Sequence, residues 1–269
     1  MLKKRIIFTL LYDSGSFMLS RNFRLQKVGD FDWLKNNYDF SKISFSIDEL
    51  MVLDVTRGPK DHKAFALTLS RLAQECFVPI AAGGGIREVH QAKDLLRSGA
   101  DKIVVNSGLF NDPRLVGKLS SEFGAQAIIA SIDFKLINDE YGVFISNGSE
   151  LIPLDIDSVL SNIVTLPLGE IYLNSMTQDG TGQGLDLSVI KKIPKESQLP
   201  VILAGGVGNA HHLIQGLMID EVDAVATANL FNFVGDGLTV ARSEVIKSGI
   251  KLPIWKQNIP FHDNYNGHS

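Results

Sequence analysis

Short apolar runs alternate with amphipathic stretches along the whole chain. Runs of about four to eight apolar residues are typical of buried strands, whereas apolar positions three and four residues apart are typical of helices. The pattern predicts strands at residues 5–11, 50–54, 78–82, 102–106, 127–132, 170–174, 200–204 and 224–228. It predicts helices in most of the intervening segments, including His62–Glu75, Val89–Ser98, Pro113–Phe123, Leu187–Ile193, His211–Met218 and Leu238–Lys247.

The two halves of the chain repeat each other at a fixed spacing. Ala82-Gly83-Gly84-Gly85-Ile86-Arg87 follows one apolar run, and Ala204-Gly205-Gly206-Val207-Gly208 follows another 122 residues later, from 82 to 204. Asp101 and Asp223 keep the same spacing. A repeat of this length predicts a duplicated unit, with halves of about 1–123 and 124–269.

Eight strand–helix units in two matching halves predict an α/β fold, a single (β/α)₈ TIM barrel. Such barrels typically take about 250 residues, close to the length of this chain. An open doubly wound sheet also alternates strands with helices, but it does not explain eight strands in two matching halves. We therefore predict one barrel domain over residues 1–269, built from two pseudo-symmetric half-barrels.

Composition narrows the class of partner. The chain has 269 residues, 45% of them hydrophobic, and a net charge of −4, so neither nucleic acid nor an anionic membrane is an expected partner. Cys76 is the single cysteine of the sequence, which excludes a disulfide framework and favours a cytoplasmic location. No apolar run approaches the roughly 18 residues of a membrane span. The six histidines show no metal-ligand spacing, and we expect no metal and no cofactor.

Candidate chemistry collects where the predicted strands end, because that face of a barrel carries the active site. Asp133 ends a buried apolar strand, where a carboxylate is costly unless it is hydrogen-bonded, paired or catalytic. We predict acid–base chemistry for Asp133 and a similar, weaker case for Asp54. Three loops, at residues 12–31, 134–151 and 175–185, are longer than packing requires, and we expect them to close over a ligand.

Glycines at two strand ends predict phosphate binding. Gly83, Gly84 and Gly85 in the first half, and Gly205 and Gly206 in the second, would let backbone N–H groups approach an anion. The internal repeat would place the two loops on opposite sides of the barrel mouth, which suits a ligand with a phosphate at each end. Tight packing of strand against helix also selects glycine, so packing is the competing explanation.

Four charged residues begin strands at the opposite end of the barrel, namely Arg5, Glu49, Lys102 and Glu170. We expect them to form a closed ring of alternating charge beneath a central passage lined by small or apolar side chains. On that face the usual role of a salt-bridge cluster is stability.

Several stretches of the sequence carry a family resemblance: Lys4–Ile7, Asp48–Asp54, Gly83–Arg87, Gly99–Lys102, Asn106-Ser107, Ile132-Asp133, Asp179–Thr181, Gly205-Gly206 and Asp223. They resemble the cyclase subunit of imidazole glycerol phosphate synthase along nearly the whole chain. In that family a partner glutaminase docks at the barrel bottom and passes ammonia through the barrel. At the mouth the ammonia reacts with a bisphosphorylated ribulosyl aminoimidazole carboxamide, giving imidazole glycerol phosphate and the aminoimidazole ribotide.

The resemblance implies a role for each matching residue. Asp133 matches the second catalytic aspartate, the four charged residues match an ammonia gate, and Asp101 matches a partner-interface residue. Gly85, Asn106 and Ser107 match one phosphate site, and Gly180, Gly206 and Ala228 match parts of the other. With their neighbours, the implied phosphate- and substrate-binding residues are Gly83, Gly84, Gly85, Asn106, Ser107, Asp179, Gly180, Thr181, Gly205, Gly206, Ala228, Asn229 and Asp54.

The departures from the family pattern concentrate at the mouth. Leu11 falls at the position of the first catalytic aspartate, Leu19 at that of a lysine, and Ala204 and Asn229 at those of two serines. Leucine cannot transfer a proton, and losing a general acid or base typically costs about 10²–10⁴ in rate. Asp13 would be shifted by roughly 6.6 Å along the strand, so we interpret it as a turn residue instead.

Three functions are compatible with these patterns. The first is a barrel subunit with weak or absent cyclase activity that relays ammonia from a glutaminase to a sugar amidotransferase. That enzyme would convert an acetamido group into an acetamidino group in a surface-polysaccharide pathway of the O-antigen or lipopolysaccharide type. The second is a working cyclase and lyase of histidine biosynthesis, and the third is a phosphosugar isomerase. The charged set at the bottom, which matches the family pattern, and the altered mouth favour the first, and a phosphorylated small molecule is an expected ligand.

Overall fold

The computed structural model describes residues 3–229 and 232–254, and its centre is a closed barrel of parallel strands. The strands in the described residues are β1 (Arg5–Asp13), β2 (Ser16–Arg21), β3 (Arg24–Gly29), β4 (Glu49–Asp54), β5 (Ile80–Gly83), β6 (Lys102–Val105), β7 (Ile128–Ile137), β8 (Glu140–Ile145), β9 (Glu150–Asp155), β10 (Glu170–Ser175), β11 (Val201–Ala204) and β12 (Ala224–Thr227). Around the barrel the neighbours run β10-β11-β12-β1-β4-β5-β6-β7, and β7 pairs with β10 to close it. The predicted (β/α)₈ barrel is confirmed.

Helices cover the outside of the barrel between most of its strands. They are α1 (Phe31–Asn37), α2 (Phe40–Ile43), α3 (His62–Glu75), α4 (Val89–Arg97), α5 (Ser107–Asn111), α6 (Leu115–Phe123), α7 (Ile156–Ile163), α8 (Ala210–Leu217) and α9 (Gly237–Lys247). The segment predicted as a helix at Leu187–Ile193 is instead a 3₁₀ helix over Leu187–Lys192. Pro194 follows closely, and the restriction that proline places on the residue before it leaves no room for a longer α-helix. No helix within the described residues is both long and apolar enough to cross a membrane.

Alternation along the barrel strands separates two apolar cores. On β1, Ile6, Phe8 and Leu10 face the helices in the outer core, whereas Ile7 faces the barrel axis. We call the axial set the inner core, which consists of Ile7, Met51, Ala81, Val104, Ile129, Tyr172, Ile202, Ala204, Ala224 and Ala226. Because the barrel strands are parallel, their carboxyl ends lie at one end of the barrel and present their axial side chains to one shared cavity.

Two of the three segments predicted as long loops are β-hairpin extensions, so the loop prediction was wrong for residues 12–31 and 134–151. β1 continues through a turn at Ser14 (φ 48°) into β2, and β2 turns at Asn22 and Phe23 (φ 50° and 62°) into β3. β7 likewise continues into β8 and β9. Left-handed backbone at short turns makes this pairing possible, and that conformation leaves little trace in hydrophobic periodicity. Residues 176–185 lie outside the described helices and strands, as predicted.

The internal repeat is visible in the hydrogen bonds at the bottom of the barrel. The Asp101 carboxylate accepts a hydrogen bond from the Ile80 backbone N–H (2.8 Å), and the Asp223 carboxylate accepts one from that of Val201 (2.9 Å). Asp101 directly precedes β6 and anchors the beginning of β5. Asp223 directly precedes β12 and anchors the beginning of β11. The spacing of 122 residues thus corresponds to a shared structural position.

Candidate functional site

A cavity of about 460 Å³ lies at the carboxyl ends of the barrel strands. The sequence-predicted residues that line it are Leu11, Asp54, Gly84, Gly85, Asn106, Ser107, Asp133, Asp179, Gly180, Gly205, Gly206, Ala228 and Asn229. Gly83 and Thr181 are not among its lining residues; the Thr181 hydroxyl instead donates to the Gln178 carbonyl (2.8 Å) and stabilises the turn. We call this space the mouth cavity.

Asp133 is a buried carboxylate in the wall of the mouth cavity. Asn174 Nδ2 donates to its Oδ1 (2.9 Å), and Asn106 Nδ2 donates to its Oδ2 (3.2 Å). Burial raises the pKa of Asp133 to about 7; the Asn174 hydrogen bond opposes this rise and the charge of Asp179 adds to it. A carboxyl group that exchanges its proton near neutral pH is suited to general acid–base chemistry.

Asn174 is the partner of Asp133 that sequence reasoning did not assign. It ends β10, and it lies directly opposite Asp133 in the parallel pairing of β10 with β7. The sequence signal was available, because Asn174 is a polar residue at the end of a buried strand just as Asp133 is. The pairing itself becomes evident only from the register of two strands.

No ionisable group of β1 lines the mouth cavity within the described residues, because the residues of β1 that line it are Thr9 and Leu11. Leu19 and Leu53 also line the cavity, which makes this part of the wall apolar. Asp13 lies at the hairpin turn, where its carboxylate accepts a hydrogen bond from the Ser14 hydroxyl (2.8 Å). The interpretation of Asp13 as a turn residue is therefore confirmed.

Asp54 forms hydrogen bonds within its own loop that hold its carboxylate in place. Lys60 Nζ donates to Asp54 Oδ1 (3.0 Å) and to the Asp54 carbonyl (2.7 Å), and the Thr56 backbone N–H donates to the same Oδ1 (2.9 Å). These contacts hold the loop after β4 against the barrel. Sequence reasoning missed Lys60, because nothing in the sequence shows that its side chain folds back towards the strand end.

The glycine loops adopt backbone conformations that favour glycine. Gly84 and Gly85 have φ of 128° and 74°, and Gly205 and Gly206 have φ of 91° and 97°. A Cβ on Gly84 would overlap the backbone of Asp54, so packing alone requires glycine there. Packing therefore explains the glycine at Gly84, whereas phosphate binding stays a prediction for loops that line the mouth cavity.

Positive charge is distributed unevenly around the mouth cavity. Arg57, Lys60 and Arg87 are the cationic residues that line it within the described chain, and all three belong to the first half of the sequence. An anion at the loop after β5 would therefore have cationic neighbours, whereas one at the loop after β11 would depend on backbone and neutral groups.

The β2–β3 hairpin is fastened to the loop after β10 through Asp179. The Asp179 carboxylate accepts hydrogen bonds from the Ser20 hydroxyl (2.5 Å) and the Phe23 backbone N–H (2.9 Å). Arg57 holds the other side of the hairpin tip by donating to the Phe23 carbonyl (2.7 Å). Burial raises the pKa of Asp179, against the effect of the two hydrogen bonds that it accepts. At the adjacent Gly180, a Cβ would overlap the Ser20 carbonyl, so this contact also explains the glycine.

At the bottom of the barrel, Arg5, Glu49, Lys102 and Glu170 form the closed ring of alternating charge that the sequence predicted. Arg5 contacts Glu49 (2.9 Å) and Glu170, and Lys102 contacts Glu49 (2.9 Å) and Glu170 (2.5 Å). Burial raises the pKa of Glu49 despite the nearby Lys102 charge. Burial also acts to raise the pKa of Glu170, but the hydrogen bonds and charges of Arg5 and Lys102 outweigh it and lower that pKa. We call this set the charged ring.

Metal binding finds no support in the described part of the chain. No group of three or more potential ligands among histidine, cysteine, aspartate and glutamate lies together there. Cys76 is buried, and burial raises the pKa of its thiol. His262 and His268 lie outside the described residues.

Comparison with known proteins agrees with the geometry of the barrel. Residues 40–235 match the family model described as "Histidine biosynthesis protein". A protein of Parasynechococcus marenigrum (strain WH8102), provisionally named imidazole glycerol phosphate synthase subunit hisF2, is 46% identical over 256 residues, which is 95% of each chain. The imidazole glycerol phosphate synthase subunit HisF of Chloroherpeton thalassium (strain ATCC 35110 / GB-78) is 31% identical over 252 residues, covering 94% of this chain and 99% of the relative.

Proposed function

Because this chain belongs to the histidine biosynthesis protein family and is of the imidazole glycerol phosphate synthase cyclase-subunit type, we propose that it relays ammonia through its barrel. The ammonia would come from a class I glutaminase bound at the bottom of the barrel, with Asp101 at the interface. It would leave at the mouth cavity for a sugar amidotransferase that converts an acetamido group of a surface-polysaccharide sugar into an acetamidino group. Cyclase activity of the chain itself would be weak or absent.

The charged ring is the observation that carries this proposal. Its four side chains pair with one another, and the inner core above them is apolar, apart from the phenol of Tyr172, and rich in alanine. Neutral ammonia can cross an apolar core, whereas ammonium would carry a heavy desolvation penalty there.

The mouth cavity supports a changed reaction rather than an unmodified cyclase. Leu11 occupies the end of β1, where the family resemblance implies a catalytic aspartate, and Leu19 adds an apolar group where it implies a lysine. A phosphorylated ligand would still have the glycine loops, and Arg57 and Arg87 would favour an anion at the loop after β5.

Lys102→Ala tests the relay against a purely stabilising role of the charged ring. With the glutaminase and the acceptor enzyme present, we expect glutamine-dependent amination to fall while added ammonium salt restores it. Lys93→Ala is a matched control, because it removes a lysine that pairs with Glu122 (3.2 Å) on the outer surface. If Lys102→Ala lowers only the melting temperature and leaves both nitrogen sources equally effective, the ring stabilises the fold and the relay proposal loses its support.

Asp133 favours a second candidate, a working ammonia-dependent cyclase and lyase of histidine biosynthesis. Its pKa of about 7 and its two amide donors suit proton transfer even without an acid at Leu11. Turnover of the bisphosphorylated substrate with ammonium salts distinguishes the two candidates. We expect little turnover by the natural chain and a partial gain in Leu11→Asp; a rate near that of an ordinary cyclase subunit in the natural chain would establish the second candidate.

A further inference from the structure

Two buried oxygen atoms on the axial face of the barrel have no hydrogen-bond partner among the described residues. They are Glu49 Oε1 in the charged ring and Thr9 Oγ1 above it, in residues that are 2% and 1% exposed. A buried polar atom without a partner destabilises the folded state, so each such atom calls for an explanation. Both oxygen atoms can accept a hydrogen bond, and both lie along the route that the proposed relay requires.

The strand register fixes the relation between these two acceptors. In the parallel pairing of β1 with β4, Glu49 lies opposite Ile7 and Thr9 lies opposite Met51. Thr9 is therefore two residues further towards the mouth than Glu49, a rise of about 6.6 Å along the strands. Thr9 also lines the mouth cavity, so its hydroxyl marks the level at which the apolar inner core opens into that cavity.

Tyr172 provides a second hydroxyl at the same level. Its side chain belongs to the inner core, is 4% exposed and lines the mouth cavity together with Thr9, Ala204 and Ala226. Burial raises the pKa of Tyr172 and the charge of Asp133 adds to the rise, so the phenol stays protonated and can donate a hydrogen bond. The nearby Thr9 hydroxyl partly opposes this rise in the pKa of Tyr172. The distances and angles at Thr9 Oγ1 nevertheless satisfy no hydrogen bond with any described group.

We propose that Thr9 and Tyr172 form a binding station for neutral ammonia at the floor of the mouth cavity. The Tyr172 hydroxyl would donate to the nitrogen lone pair, and one ammonia N–H would donate to Thr9 Oγ1. Ammonium has no lone pair and cannot accept the tyrosine hydrogen bond, so the station selects the uncharged molecule. This inference rests on the proposed relay and adds a defined site to it.

An isotope competition measures the station directly. The complex of this chain with its glutaminase and acceptor enzyme receives glutamine labelled with ¹⁵N in the amide and unlabelled ammonium salt in solution. The acceptor is an acetamido sugar, or the bisphosphorylated cyclase substrate where that compound is the one aminated. The ¹⁵N fraction of the product then reports how much nitrogen has crossed the barrel.

We expect Thr9→Val and Tyr172→Phe each to lower the ratio of ¹⁵N to unlabelled nitrogen in the product by about two- to tenfold, as expected for one lost hydrogen bond. Thr9→Ser keeps the hydroxyl and should restore the ratio. Thr68→Val is the matched control, since the Thr68 hydroxyl bonds the Ala64 carbonyl (3.1 Å) on helix α3, outside the barrel. Removing an unpartnered buried hydroxyl should leave the urea midpoint of Thr9→Val unchanged or higher, so misfolding would not account for a lower ratio.

Two other results separate the two proposals. A natural complex whose product contains only unlabelled nitrogen would refute the relay itself. A natural complex rich in ¹⁵N, combined with unchanged ratios in both Thr9→Val and Tyr172→Phe, would overturn the station and leave the relay intact.

Discussion

Replacing Asp133 by asparagine tests whether this buried carboxyl group is held in the folded protein at the cost of stability. In the folded chain the pKa of Asp133 is raised from 3.8 to about 7, chiefly by burial. Between those values the folded state keeps a proton that the unfolded state has already released. The free energy of unfolding therefore falls as pH rises from about 4 to about 7, and the whole loss is present above pH 7.

The magnitude follows from the same two values. A rise from 3.8 to about 7 corresponds to at most about 4 kcal/mol of unfolding free energy, at about 1.4 kcal/mol for each pH unit. Asparagine has no such dependence. The asparagine side chain also presents an NH₂ group to Asn174 and Asn106. Asn174 can turn its amide so that its oxygen accepts from this group. Asn106 is held in its present orientation, because its Nδ2 also donates to the Ser131 carbonyl (3.0 Å). That rearrangement adds a cost that does not vary with pH.

Urea unfolding of the natural chain and of Asp133→Asn at several pH values from 4.5 to 8 measures the difference. We expect the variant to gain stability relative to the natural chain as pH rises, by about 3 kcal/mol over this range, and the difference to level off above pH 7. Asp94→Asn, an exposed position on α4, serves as the control for a change of net charge. A difference between Asp133→Asn and the natural chain that stays constant over this range would refute the raised pKa.

Three further predictions concern the glycine loops and the core. Gly206→Ala should destabilise the chain by more than about 2 kcal/mol, because φ is 97° and a Cβ would overlap the Gly184 carbonyl. Gly15→Ala is the control, since Gly15 has a similar φ of 85° but lies in open space, and it should cost only about 1 kcal/mol. Urea unfolding measures both variants. Arg242→Met should lower the free energy of unfolding by about 3–5 kcal/mol. It removes the guanidinium that contacts the buried Asp48 carboxylate at 2.9 and 3.0 Å. A loss below about 1 kcal/mol in chemical unfolding would contradict this prediction. Inorganic phosphate should bind first at the loop after β5, where the cationic side chains lie, and a crystal structure from phosphate-rich solution with that loop empty would count against the phosphate site.

The charged ring shows how far sequence reasoning reached into the site. The four residues could be named because each begins a predicted strand, and the barrel fold sends all strand beginnings to one face. The side-chain partners could not be assigned from periodicity, since Arg5 and Glu170 meet across 165 residues of sequence. For Asp179 the resemblance implied a substrate contact, which stays a prediction, and the structure adds a role that the sequence did not indicate, because its carboxylate holds the β2–β3 hairpin.

The sequence by itself determined the eight barrel strands, the internal repeat and the identity of the residues at both ends of the barrel. These features are local, because burial imposes a hydrophobic period on each segment and each strand end follows from that period. Only the tertiary structure decided that Asn174 supports Asp133, that the segment after β1 is a paired hairpin, and that Thr9 and Tyr172 line the same cavity. Each of these depends on the register between strands far apart in the chain, and register is set by closure of the whole barrel rather than by any one segment.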